Sequence, residues 1–517
     1  MASAFIVRKN QYYDSVFLMG VSNRLSRMKG VQQTAVLMAT EKNKQLLTDL
    51  GIQGEQINSS EPNDLIVAII ADNHQIIESV LAQLDQILQV QEESIPISHI
   101  HTVEEGIAEK PHAGLAMFSI PGEYTYREAM KALEANLNVF IFSSNVPLAE
   151  ELKLKQYALE HNLFVMGPDC GTSILGGIGI GFANVVRKGT IGVIGPSGTG
   201  LQEFTSQIHN AGHGISHAIG TGSHDLSDDI GGITTGMALK ALEADDQTEV
   251  IAIIAKPPGH RTLLQLIERV KNCTKPIVAC FLGKPLLQLR DDNEILLAHT
   301  IDDAVQLAIQ VIDNLEIPRL SQLIEEECEL VRETRKKWST EQLYLRGLFA
   351  GGTFCYQSQQ ILLEKGIEVY SNAPISVKHK LALPKQSHKH TLIDMGDDFY
   401  TLGRPHPMID GTLRKQRIIA ESHDPSVAIL LLDFILGYNA SSDPVGDLLD
   451  AIVEAKQRRI SKSGDLTIVA SICGTEEDPQ DLGLQTKMLK EAGVIVFNSN
   501  AKASLFCYEL LKEPEED

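Results

Sequence analysis

Of 517 residues only one is tryptophan, and the seven cysteines (Cys170, Cys273, Cys280, Cys328, Cys355, Cys473 and Cys507) include no Cys-x-x-Cys pair. An odd number of scattered cysteines in a long chain excludes a disulfide framework and points to reduced thiols. The sixteen histidines contain no His-Glu-x-x-His or paired zinc spacing, so no metal site is expected. Basic residues are the scarcer charge, 45 Lys and Arg against 67 Asp and Glu, for a net charge of −22. Such a field repels nucleic acid and anionic membrane. An anionic ligand must therefore be held by local dipoles and a few placed cations. No apolar run approaches the roughly 20 residues that span a bilayer. The opening "MASAFIVRKNQYYDSV" lacks the basic-then-apolar order of a secretory signal. The expectation is a soluble cytoplasmic protein with neither nucleic acid nor membrane as partner.

What is present is ordinary globular material: 43% hydrophobic and 22% charged residues. The length suits three or four domains of about 100–200 residues. Residues 1–105 alternate strand-like and helix-like runs and read as a small α/β domain. The run from His74 carries Ile76, Ile77, Val80, Leu81, Leu84, Ile87 and Leu88 at helical period. Residues 106–186 and 187–315 each repeat apolar strand, helix, apolar strand, the order of a doubly wound parallel sheet. Residues 316–342 read as a charged connecting helix, and 343–517 open again on strand, turn and helix. "IGVIGPSGTGLQEF" and "RGLFAGGTFCYQSQ" resemble one another, as do "DDQTEVIAIIAKPPG" and "HDPSVAILLLDFILG". Duplication of one α/β unit is the simplest account, and it could set two helix N-termini against one ligand.

Four strand–turn–helix junctions are candidates for holding an anion. In "GPSGTG" (195–200) no Gly-Lys-Ser/Thr closes the turn, so it is not a P-loop. It still offers Ser197, Gly198 and Thr199 at a helix N-terminus, with its unpaired N–H groups and about half a positive charge. "AGGT" (350–353) offers Gly351, Gly352 and Thr353 in the same way. Pro121 and Gly122 in "SIPGEY", and Gly167, Pro168, Asp169 and Cys170 in "GPDCGT", sit where a nucleotide-like or CoA-like ligand would lie. For each junction the plain alternative is a helix cap or βα turn. His406, pinned between two prolines in "GRPHPMID", could act as acid or base, or simply shape a loop. "LIDMGDD" (392–398) ends a strand in carboxylates that could bind Mg²⁺ or cap a helix; the capping or supporting role is preferred. The histidines of "GHGISH" and "GSHD" read as loop residues, and Cys355 as packing.

These motifs resemble known families. "TIGVIGPSGTGLQEF", "AIGTGSHDLSDDIGG", "LEADDQTEVIAIIAKPPG" and "KPIVACFLG" resemble the ligase domain of the succinyl-CoA synthetase α subunit. "SIPGEYTYREAM" through "GPDCGTSI" resembles the latter half of its CoA-binding domain. Residues 343–500 are similar to the C-terminal ligase domain of the β subunit. Over essentially the whole chain, "YDSVFLMGVSNR", "MGPDCGT", "IGPSGTG", "KPPG", "RGLFAGGT", "GRPHPMID" and "SSDPVG" resemble the FdrA family. The implied fold is α/β with several doubly wound parallel-sheet domains: a small N-terminal domain, a Rossmann-like CoA-binding-type domain and two flavodoxin-like ligase domains.

The chain departs from the synthetases in three ways. It has no room for an ATP-grasp domain. The synthetases' phosphohistidine loop is replaced by "KPLLQLRDDNEILLAHTIDDAV", with His299 beyond it. Lys256 stands where a glutamate supports that histidine, and a lysine suits a phosphate-like anion. From the FdrA resemblance the implied activity is that of an oxamate carbamoyltransferase subunit acting with two partner proteins in a homo- or hetero-oligomer. Its reaction converts oxalurate and phosphate into oxamate and carbamoyl phosphate in allantoin degradation. On that reading the two turns hold phosphate, Lys256 adds charge, His406 gives a proton to the leaving nitrogen, and CoA or Mg²⁺ is optional. The rival readings are an acid–CoA ligase subunit that borrows an ATP-grasp partner, and a non-catalytic CoA- or nucleotide-binding scaffold.

Overall fold

The computed structural model describes residues 2–11, 13, 15–26, 28, 30–49, 52–89, 100–282, 295–315, 322–401, 404–460 and 464–512. Two units separate, Met1–Gly106 with Thr401–Pro405, and Ile107–Tyr400 with His406–Asp517. The α/β class expected from the sequence holds, but the sheet of the first unit is antiparallel and not the parallel sheet expected of the N-terminal domain, because alternating strands and helices permit either direction.

In the first unit, strands Ala2–Arg8, Leu65–Ala71 and Val31–Met38 form an antiparallel sheet in that order. The central strand "LIVAIIA" is apolar at every position because both of its faces are covered. Ile77, Val80, Leu84 and Leu88 of helix His74–Gln89 bury their stripe on one face with Leu18 and Leu25. Leu47, Ile52 and Ile57 cover the other.

The second unit holds three further sheets. The smallest is parallel: Leu115–Phe118, Asn138–Ile141, Val165–Met166. The seven-stranded sheet runs Ile295–Ala298, Ile277–Phe281, Val250–Ala255, Lys188–Gly195, Ile215–Gly220, Thr172–Leu175, Ile178–Gly181. Its first five strands are parallel and the last two form an antiparallel hairpin edge. The six-stranded sheet is fully parallel: Val369–Ser371, His390–Asp394, Tyr344–Phe349, Val427–Ile435, Thr467–Cys473, Ile495–Phe497.

Strand Lys188–Gly195 pairs with Ile215–Gly220 on one side and Val250–Ala255 on the other. Strand Tyr344–Phe349 likewise pairs with His390–Asp394 and Val427–Ile435. Each central strand is therefore the place where the winding direction reverses, and the crevice beyond its C-terminal end is where open α/β sheets bind ligands. Polar bonds tie the two large sheets together. Asn184 Nδ2 donates to Asp478 Oδ2 at 2.7 Å and to Leu436 O at 3.0 Å, and Gln202 Nε2 donates to Leu436 O at 3.3 Å.

Candidate functional site

Both reversal points lead directly into helices. Lys188–Gly195 is followed by helix Gly198–Asn210 with Ser197 at its N-cap, and Tyr344–Phe349 by helix Gly352–Glu364 with Gly351 at its N-cap. No side chain caps either helix. The two N-termini meet. The hydroxyls of Ser197 and Thr353 are hydrogen-bonded to each other. A Cβ on Gly351 would lie 3.2 Å from Thr199 Cγ2, and one on Gly200 would lie 3.4 Å from Thr353 Cγ2. Glycine at 200 and 351 thus lets two positive helix ends approach. Two half-charges at contact range repel, and an anion between them relieves the repulsion. Thr353 is buried, whereas Ser197, Gly198, Thr199 and Gly352 stay partly open to solvent.

The protein supplies part of that negative charge itself. Asp433, fully buried, accepts from Ala350 N at 2.8 Å and Gly351 N at 2.7 Å. Arg414 Nη2 meets Asp433 Oδ1 at 2.8 Å and also donates to the Leu348 and Asp433 carbonyls. Burial pushes the Asp433 carboxyl up, against the pull of Arg414 and the two N–H donors. Asp394 stands at the opening turn of helix Gly352–Glu364, its Oδ2 placed 2.6 Å from where a Gly352 Cβ would be. Burial raises its carboxyl to about 6, opposed by the nearby Lys256 charge. Lys256 follows strand Val250–Ala255 and is exposed, with Nζ 5.3 Å from the Tyr356 ring centroid.

The turns that carry the other sequence-picked residues are linked by short contacts. Thr221 N donates to Gly195 O at 3.0 Å, Cys170 N to Ile141 O at 3.1 Å, and Asp169 N to Ser143 O at 2.9 Å. Ile120 N donates to Ser143 Oγ at 2.9 Å. The "GPDCGT" turn, with its cis Gly167–Pro168 bond, reaches the Gly198 turn: Thr172 Oγ1 would touch a Gly198 Cβ at 2.9 Å. Pro121 is the N-cap of helix Gly122–Glu134, and Gly122 packs under the Ser144 and Asn145 carbonyls. Burial pushes the Cys170 thiol up to about 12, so it packs rather than attacks. Burial likewise raises Cys355.

His406 has its Nε2 directed at Gly396 and its Nδ1 accepting from Met408 N at 3.2 Å. Burial and the Arg414 charge lower it to about 4. It is neutral near pH 7 and presents Nε2–H as a donor. His299 lies elsewhere. Its Nε2 sits 2.6 Å from Glu364 Oε2, at the last residue of helix Gly352–Glu364. At 1.5 Å per residue, that is about 18 Å from the helix start. Most of the stretch before it, 283–294, lies outside the described residues.

The sequence does not single out Thr172, Arg414 or Asp433, and His224 reads there as a loop residue. Asp433 did carry a signal, as one carboxylate in the otherwise apolar strand "VAILLLDFI", which requires a buried partner. His224 Nδ1 lies 3.3 Å from Glu151 Oε2, which raises its pKa. Glu151 and Lys155 are both fully buried and 2.9 Å apart, and Lys155 also meets Asp225 at 2.7 Å. The half-exposed imidazole is thereby fixed beside the Asp169 charge.

Family models match three stretches: "CoA binding domain" at 186–283, "CoA-ligase" at 348–508, and "AllF, heavy metal-associated domain" at 1–99. The CoA-binding and CoA-ligase models fall on the seven-stranded and six-stranded sheets, so these two parts of the chain are similar to domains of CoA ligases. The chain belongs to the family of the Escherichia coli (strain K12) "Uncharacterized protein YahF", to which it is 38% identical over 521 residues covering 100% of each. It is 30% identical over 200 residues to the ADP-forming sulfoacetate-CoA ligase subunit SauD of Bilophila wadsworthia, covering 37% of this chain and 65% of that subunit. It is 29% identical over 196 residues to the alpha subunit of ADP-forming succinate–CoA ligase from Staphylococcus aureus (strain N315), covering 37% of this chain and 62% of that subunit.

These matches overturn the carbamoyltransferase expectation, because they are to CoA-ligase and CoA-binding domains and to acid–CoA ligase subunits. The physical reason is plain. A pair of helix N-termini holds a phosphoryl group whatever is attached to it, so the turns carry no information about the group transferred.

The metal named by the model of residues 1–99 does not fit these residues. Residues 1–99 contain no cysteine, the first being Cys170, so the thiolates that select soft metals are missing. Among the described residues no cluster of three metal-ligating side chains occurs, and no helix is long and apolar enough to cross a membrane.

Proposed function

We propose that this chain is an FdrA-type subunit of an acid–CoA ligase, working on an acyl phosphate and CoA. The observation that carries the reading is the meeting of two uncapped helix N-termini at Ser197 and Thr353, beside Lys256. The CoA-ligase and CoA-binding models that match these sheets, and the ADP-forming ligase subunits among the relatives, support it.

The chemistry follows from the charges. When a thiol attacks the acyl carbon of an acyl phosphate, the carbon–oxygen bond breaks and phosphate leaves with added negative charge. N–H groups at 198–200 and 352–354, the Ser197 and Thr353 hydroxyls and Lys256 face that leaving group and stabilise it. The turns that carry Pro121, Gly122, Gly167, Pro168, Asp169 and Cys170 would position the CoA. On this reading the acyl phosphate is supplied by a partner protein that uses ATP.

The test is to incubate the purified chain with acetyl or succinyl phosphate and CoA, and to follow thioester formation and phosphate release. Thr353→Val, which removes one hydroxyl without adding bulk, should lower the rate by on the order of tenfold or more. If neither acyl phosphate yields thioester, and phosphate does not bind, the proposal falls.

A further inference from the structure

Strand His390–Asp394 ends in a carboxylate with an odd set of contacts. The Asp394 backbone is tied to Asn372, whose Nδ2 donates to Asp394 O at 2.8 Å and whose Oδ1 accepts from Asp394 N at 2.9 Å. Oδ1 of its side chain accepts from Gly396 N at 2.9 Å. Among the described residues Oδ2 takes no hydrogen bond; it is aimed at Gly352 instead. The residue is 8% exposed. A buried, half-partnered carboxylate therefore stands at an uncapped helix N-terminus, where a phosphoryl oxygen would also be drawn.

The charges around it are mixed. Lys256, from the end of strand Val250–Ala255, favours the ionised form. Asp397, three residues on, and Asp433, from strand Val427–Ile435, oppose it. His406 shares the space over Gly396 and is neutral above about 4.

We propose that Asp394 sets which anions the Gly352 helix accepts: protonated, it donates its O–H to a bound phosphoryl oxygen; ionised, it competes with that oxygen for the helix N-terminus. The inference rests on the phosphoryl reading above. Its consequence has a definite sign. Burial raises the Asp394 pKa to about 6. A dianion that favours the protonated carboxyl raises that pKa further, so its affinity is highest below the transition and falls as pH rises through it.

Sulfate is the probe, because it stays a dianion where phosphate titrates. Its affinity for the full chain would be measured by calorimetry from well below to well above about 6. For each unit by which bound sulfate raises the Asp394 pKa, the wild-type affinity should drop about tenfold across the range. Asp394→Asn should bind as tightly at high pH as wild type does at low pH, with a flat profile. Asp394→Ser serves as a second variant, and thermal melting shows that each is folded. A flat wild-type profile, or a slope that survives in folded Asp394→Asn, overturns the inference and leaves the phosphoryl reading standing. No binding of sulfate or phosphate at any pH removes both.

Discussion

At the scale of single residues, three buried charged groups, Asp394, Arg414 and Asp433, stand beside the start of helix Gly352–Glu364. Asp433 is the clearest case. It is fully buried, it takes the Ala350 and Gly351 N–H groups, and it neutralises Arg414. Removing one partner of a buried ion pair leaves the other uncompensated, so Asp433→Ala should cost about 3–5 kcal/mol. The denaturant midpoint measures this, and a loss under about 1 kcal/mol, the worth of an exposed pair, would show that water reaches Arg414. His406 makes the complementary point. Two prolines around a histidine leave an acid–base role and a loop role open, and burial holds the ring neutral near pH 7. Neither property could be read from the local sequence, because both depend on what packs against the residue.

At the scale of elements, helix Gly198–Asn210 is fixed from behind by a second set of acids. Glu203 Oε1 accepts from Asn500 N at 2.8 Å and from Gln207 Nε2 at 3.1 Å. Gln207 Nε2 also meets Asp302 Oδ1 at 3.0 Å, and Asp302 Oδ2 takes the Ser499 hydroxyl at 2.5 Å. Helices Gly198–Asn210, Ile301–Asp313 and Asn500–Leu511 are joined at this point. Burial and the Asp302 charge push Glu203 up to about 8 from its ordinary value of 4.5. Between those values the folded chain holds a proton that the unfolded chain has lost, so this group makes stability fall as pH rises. Glu203→Gln should flatten that part of the stability profile and raise the melting temperature near pH 8. An unchanged slope in the variant would mean that Glu203 is ionised in the folded protein.

At the scale of the whole molecule, the same strand–turn–helix device occurs twice, and the two copies meet. The six-stranded and seven-stranded sheets each reverse their winding at a central strand, and the helices that follow meet head to head. The first unit stands apart in chemistry. The model that matches residues 1–99 carries a heavy-metal name, yet those residues hold two histidines, His74 and His99, and no cysteine. Chain equilibrated with Cu(I) or Zn²⁺ and then desalted should carry no metal on this unit. Stoichiometric metal that is lost in His74→Ala would refute this.

The sequence by itself determined the class of fold, because strands buried on both faces must be apolar along their length. "LIVAIIA", "VIAIIA" and "VAILLLDFI" say so without help. It also located the glycine turns, since only small residues let a helix N-terminus be approached. The antiparallel pairing of the first sheet was not legible, because alternating strands and helices permit either direction. The tertiary structure alone decided which turns face one another, since Ser197 and Thr353 are 156 positions apart and meet only when two sheets pack. It alone decided the charge states of Asp394, Glu203 and His406, which follow from burial and from neighbours distant in the chain. The group transferred could not be read from the turns either. A helix N-terminus recognises negative oxygen, and the rest of the substrate is chosen by surfaces that form only on folding.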